Sequence, residues 1–115
     1  MKVQNCETAI IPEAKITGYL LSDSHPAGRS KARFFTQLGF SVESWDELAQ
    51  ALRQHLVDNE IAKIESSPFG TRYVVEGKIL TPDGRASWLR SIWFVATGEE
   101  TPRFATAYPL KRRSS

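Results

Sequence analysis

At Ile61 the apolar residues stop recurring every three or four positions and begin to alternate, and this change of period constrains the fold more than any other feature of the chain. Before it lie three stretches with helical spacing. In the first, Pro12 suits an opening helical position, Glu13 and Ala14 continue the first turn, and Ile16, Tyr19 and Leu20 fall on one face. Gly18 weakens that helix without forbidding it. The breaker cluster Ser22-Asp23-Ser24-His25-Pro26 ends it, since Pro26 pushes His25 out of helical geometry. A second helix is expected from Gly28 or Arg29 to Leu38, with Gly39 as its left-handed cap and Ala32, Phe35 and Leu38 as its buried stripe. Ser44-Trp45-Asp46-Glu47 reads as a capping box opening a third helix, on which Trp45, Leu48, Ala49, Leu52 and Leu56 keep helical spacing. That helix should stop at Asp58-Asn59 and serve as scaffold.

After Ile61 the alternation predicts four strands: Ile61 to Glu65, Thr71 to Leu80, Ala86 to Ala96 and Arg103 to Tyr108. The turns between them centre on Pro68-Phe69-Gly70, on Thr81-Pro82-Asp83-Gly84 and on Thr97 to Pro102. Residues 1–10 show no clear period, and Ala9-Ile10-Ile11 reads as a short strand or a strap over the core. Helices followed by closely spaced strands predict an α+β fold, with the N-terminal helices packed on one face of a four-stranded antiparallel sheet. Residues 1–110 are expected to form a single domain, and 111–115 a basic polar tail.

The composition, with 41% apolar and 24% charged residues, is that of an ordinary water-soluble domain. A chain of 115 residues suffices for one hydrophobic core. The net charge of +2 implies no partner by itself, but the charges are segregated. Residues 24–42 carry Arg29, Lys31 and Arg33 without an acid, 43–60 are acidic, and 61–115 are basic. Cys6 is the single cysteine, so no intrachain disulfide forms. With neither a signal peptide nor an apolar run of membrane length, the chain is expected to be cytoplasmic and to have no membrane partner.

Familiar catalytic signatures are missing. One cysteine and two distant histidines make no standard zinc site, and there is no P-loop, dinucleotide fingerprint or nucleophile elbow. What remains is cofactor-free chemistry on an anion. The stretch His25-Pro26-Ala27-Gly28-Arg29-Ser30-Lys31 combines a helix start, two cations and a histidine, which titrates near neutrality. Arginine grips two phosphate oxygens at once, and lysine acts as a point charge. Each of these residues also has a plain structural reading. His25 before proline suits a turn, and one of Lys31 and Arg33 suits the solvated face of a helix. Arg72 and Arg103 suit ion pairs with Glu76 or Glu99. Thr106 and Tyr108 suit ordinary sheet positions, Trp93 the core, and His55 a structural place beside the third helix's stripe.

Four blocks together carry a resemblance: Lys15-x-x-Gly18-Tyr19-Leu20-Leu21, His25-Pro26-x-Gly28-x-x-Lys31-Ala32-x-x-Phe35, Gly39-Phe40 and Pro102-Arg103-x-x-Thr106-Ala107-Tyr108-Pro109. They resemble a bacterial domain family of unknown function found in short stand-alone proteins and at the carboxy termini of phage-head and polymorphic-toxin proteins. That family in turn resembles the barnase–EndoU–colicin–RelE group of metal-independent ribonuclease toxins, whose helices pack on a four-stranded antiparallel sheet. The resemblance implies an endoribonuclease toxin that acts on RNA without a cofactor and is neutralised by a cognate antitoxin or immunity protein. It implies catalytic roles for His25, Lys31, Arg103 and Thr106, and substrate contacts by Arg72 and Tyr108; Arg29 and Arg33, as cations of the basic helix start, are expected to bind substrate beside them. The alternative is a non-catalytic module of phage or toxin–antitoxin origin that binds protein or RNA with the same basic surface.

Overall fold

The computed structural model describes residues 1–22 and 29–110, and in the second stretch the side chains from Lys31 onward. His25 and the tail 111–115 lie outside the described residues. The sequence folds as an α+β structure. Helix α1 runs over Glu13–Lys15 and widens into a π-helical turn over Ile16–Leu20. Helix α2 spans Arg29–Gln37 and α3 spans Trp45–Asp58. Strands β1 (Ile61–Ser67), β2 (Gly70–Leu80), β3 (Ala86–Ala96) and β4 (Arg103–Pro109) form an antiparallel meander in the order β1-β2-β3-β4.

The core lies between the helices and one face of the sheet. Ile16 and Leu20 of α1, Phe35 of α2 and Leu48, Leu52 and Leu56 of α3 are fully buried against Val75, Ile79, Leu89, Trp93, Phe104 and Ala107. Each helix thus buries most of the stripe its spacing predicts, with Tyr19, Leu38 and Trp45 only partly covered, and removal of that apolar surface from water is what holds the layers together. Trp93 meets Phe104 edge to face at 5.3 Å, a core role rather than a stacking platform. The strap reading also holds: Ile10 pairs in parallel with Arg103, and Arg53 donates two hydrogen bonds to the Ala9 carbonyl at 3.0 and 3.2 Å.

Three expectations change. Ser44 makes no side-chain cap to α3. Its φ and ψ of −116° and 44° are not those of an extended cap, and its own N–H is taken by Ser41 Oγ at 3.3 Å. Pro12 lies just outside α1 as its cap, in extended geometry, rather than at its first position. The ion pairs are also redistributed: Arg72 faces Glu65 across β1–β2 at 3.8 Å, while Glu76 binds Arg90 at 2.6 Å. Directly opposed strand positions bring those partners together, as they do for Glu76 and Arg90. No ion pair to Arg103 occurs among the described residues.

Gly39 caps α2 with a φ of +100°, as expected. Gly70 is more tightly constrained. Its φ is +153°, and a Cβ there would lie 2.3 Å from the Val95 carbonyl oxygen and 2.9 Å from Ala96 Cα, both backbone atoms of β3. Gly70→Ala is expected to cost at least about 2 kcal/mol by forcing the first hairpin away from β3. Urea denaturation measures this, and an unchanged midpoint would show that the hairpin yields freely.

Candidate functional site

The site forms where the β4 edge meets α1 and α2. Pairing of β3 with β4 slips between Ile92 and Trp93: Ile92 opposes Thr106, Trp93 opposes Phe104, and Ala105 is left over. This bulge lets Phe104 and Ala107 both point into the core although they are three residues apart, and it directs Thr106 and Tyr108 to the opposite side. On α1 the Leu21 N–H bonds the Ile16 carbonyl at 2.8 Å, one residue further than in an α-helix. The widened turn buries Ile16 and Leu20 completely but leaves Tyr19 half-buried.

Tyr19 links these elements. Its hydroxyl lies 3.1 Å from Thr106 Oγ1. Lys31 Nζ stands 5.5 Å from the centre of the Tyr19 ring and 5.4 Å from that of Tyr108. Lys15 Nζ lies 5.8 Å from the Tyr19 ring and donates to the Ala105 carbonyl at 3.2 Å. Arg90, held by Glu76, completes the row with its guanidinium 5.9 Å from the Tyr108 ring. Burial by itself would raise the Tyr19 phenol. Hydrogen bonds to Thr106 and Lys31, with the charges of Lys31 and Lys15, outweigh it and hold the phenol below its ordinary value of 10.0.

Two open clefts flank this cluster. One, of about 610 Å³, is lined by Pro12, Lys15, Gly18, Tyr19, Arg103 and Ala105. The other, of about 370 Å³, lies on the sheet face away from the helices and includes Arg72, Glu76, Arg90, Ile92 and Tyr108.

Lys31, Thr106 and Tyr108 therefore meet around Tyr19, and Arg103 opens onto the same cleft as Tyr19. Arg72 stands apart, in the second cleft beside Tyr108. Arg33 is exposed on α2 and belongs to neither contact set, which gives the solvated-face role to Arg33 and the inward one to Lys31. His25 and the Arg29 side chain lie outside the described residues. Sequence reasoning missed Lys15, Arg90 and above all Tyr19, which was counted for its apolar ring on a helical face. The signal that marked it was its place, with Lys15 and Gly18, in the first block of the family resemblance.

Chemically, a phenol with a lowered pKa beside ammonium groups suits proton transfer and anion binding together. No cluster of His, Cys, Asp or Glu able to share a metal ion occurs among the described residues. No described helix is long and apolar enough to cross a membrane.

No curated protein matches the chain. In fold it is similar to a chain of a contact-dependent growth inhibition toxin–immunity protein complex from Klebsiella pneumoniae 342. The TM-score is 0.70 at 21% identity, covering 96% of this chain and 100% of that one. The domain of unknown function DUF6883 matches residues 2–111, nearly the whole chain, and the chain belongs to that family.

Proposed function

We propose that this chain is the toxin of a toxin–immunity pair and acts as a metal-independent endoribonuclease. The observation that carries the reading is the Tyr19 hydroxyl on Thr106, with Lys31 and Lys15 beside it and no carboxylate paired to either lysine among the described residues. A fold shared with one chain of a toxin–immunity complex supports a place in such a system. Lys15, Lys31 and Arg103, none of them paired to a carboxylate among the described residues, favour the toxin half, since a polyanionic substrate needs positive charge.

RNA cleavage without a metal uses the substrate's own 2′-hydroxyl. Tyr19, ionised, takes the 2′ proton as that oxygen attacks the adjacent phosphorus. The bond to the 5′ oxygen breaks, leaving a 2′,3′-cyclic phosphate, and a proton passes to the departing oxygen. His25 is assigned that donation from its sequence position shortly before α2. Lys31 and Arg103 neutralise the charge that builds on the phosphorane oxygens, with Arg29 as a further phosphate ligand. Thr106 holds the Tyr19 hydroxyl in place. Arg72 and Tyr108 would guide the strand along the second cleft.

Incubation of the purified protein with RNA in excess EDTA tests the reading. Cleavage to fragments with 2′,3′-cyclic phosphate ends is expected, together with growth arrest when the protein is expressed without its partner. Intact RNA and unimpaired growth would overturn it and leave the non-catalytic binding module.

A further inference from the structure

The larger cleft contains a residue that the fold does not explain. Gly18 sits in the middle of the π-helical turn Ile16–Leu20. Its φ is not positive, so the backbone does not call for glycine there. A Cβ at this position would meet nothing within 4 Å, so packing does not call for it either. Glycine is nevertheless the poorest helix residue after proline, and alanine would stabilise the turn. What the missing side chain does is keep the floor of the cleft open, directly beside Tyr19.

The walls fit one class of ligand. Ala14 and Ala105 are small, Pro12 is flat, and the Tyr19 ring stands to one side. Lys15 and Arg103 are exposed at the rim. Their charges suit a phosphate group, and the apolar floor suits a planar ring. A volume of about 610 Å³ lies in the range of sites that hold small organic groups. Ribonucleases that act on single strands need such a place, because an unstacked base must lie against protein while its phosphate is attacked.

We propose that this cleft is a nucleobase subsite, in which a base next to the scissile phosphate lies over Gly18 while that phosphate is held at the rim by Arg103, with Lys15 beside it. The inference rests on the ribonuclease reading and adds where the substrate is held. Gly18 and Ala14 are specificity positions: they touch the base and leave Tyr19, Thr106 and Lys31 in place.

The test compares wild type with Gly18→Leu and Ala14→Leu, with Gly18→Ala as an intermediate step, in steady-state cleavage of a short single-stranded oligoribonucleotide. Circular dichroism and thermal melting first establish that each variant folds. The two leucine variants fill the cleft from different walls, so the test survives if one of them fails to fold. Each is expected to raise KM at least about tenfold, the order of one lost base–aromatic contact, with kcat within a fewfold. Gly18→Ala should melt no lower than wild type and raise KM by less than either leucine variant, in proportion to the smaller volume it fills. If wild type cleaves and a folded leucine variant cleaves with unchanged KM, the base subsite falls while the ribonuclease reading stands. If wild type neither cleaves nor binds the oligonucleotide, both fall together.

Discussion

Lys31→Ala is expected to lower RNA cleavage by about two to three orders of magnitude while leaving the fold intact. Lys31 lies over two tyrosine rings at 5.4 and 5.5 Å, and its ammonium is one of the charges that hold the Tyr19 phenol below its ordinary value. Removing it acts twice. The phosphorane loses a cation, and at a given pH less of Tyr19 is ionised to accept the 2′ proton; general base and electrostatic contributions of this kind each reach about 10²-fold or more. The two effects separate by pH. Cleavage limited by ionised Tyr19 rises with pH through the lowered phenol pKa, so Lys31→Ala should move that inflection upward and recover part of its deficit in alkali. Ultraviolet difference titration should show the same phenol ionising later, and Tyr19→Phe should abolish that phase along with most of the activity. Arg33→Ala, two residues away on the exposed side of α2, is expected to stay within about threefold of wild type, the effect of one screened surface charge. Equal losses in Lys31→Ala and Arg33→Ala would show that α2 contributes general positive charge, not a positioned group.

Lys31 and Arg33 also mark how far the sequence can be read. The helices were legible because Ile16, Leu20, Phe35, Leu48, Leu52 and Leu56 repeat at helical spacing, and all six are completely buried. The strands were legible because β-branched and aromatic residues alternate between turns that name themselves, such as Thr81-Pro82-Asp83-Gly84, whose glycine takes a φ of +85°. Pattern says which face is inside. It does not say which of two cations at an edge reaches another element, because that depends on tertiary placement.

The site needed three facts of that kind. One is the bulge at Ala105, which changes which β4 residues point together and leaves no mark in a seven-residue strand. Another is the π-helical turn of α1, since no residue type demands the extra residue that turns Tyr19 outward. The third is partner choice on the sheet. Glu76 is claimed by Arg90 because β2 and β3 set them opposite each other, and Arg72 pairs with Glu65 instead. Lys31, picked out from local chemistry, and Thr106, marked by the family resemblance, share a neighbour. Tyr19, the neighbour, was hidden behind its own hydrophobicity: an aromatic ring at a core-spaced position is counted for its ring, and its hydroxyl is noticed only when something stands beside it.

His55 gives the largest expected stability effect, and its sign with pH follows from its partners. It is 2% exposed, and among the buried side chains of α3 it alone is not apolar. Nε2 faces two carbonyls, Gly77 O and Leu89 O, each at 3.1 Å, so it must carry the proton and donate. Nδ1 then accepts from the Ser91 hydroxyl at 2.9 Å, and Ser91 Oγ accepts from Trp93 Nε1 at 2.8 Å. One neutral tautomer thus satisfies a buried chain that ties α3 to β2 and β3. Burial holds the His55 pKa below its ordinary 6.5, against the opposing pull of the Gly77 and Leu89 carbonyls and of Asp58. The unfolded chain binds a proton near 6.5 and the folded one does so only at lower pH. The stabilisation is therefore complete above 6.5 and is lost as pH falls from there through the folded value. His55→Leu fills much of the volume but strands the Ser91 hydroxyl and withdraws the donor from both carbonyls, at an expected cost of about 3 kcal/mol at neutral pH. Urea denaturation of both proteins between pH 7.5 and roughly 5 checks the sign, because any other titrating group, His25 included, is common to the two and cancels in the difference. Wild type should lose its advantage as the medium is acidified. A constant gap across that range would mean that His55 stabilises the fold through packing alone, with its proton playing no part.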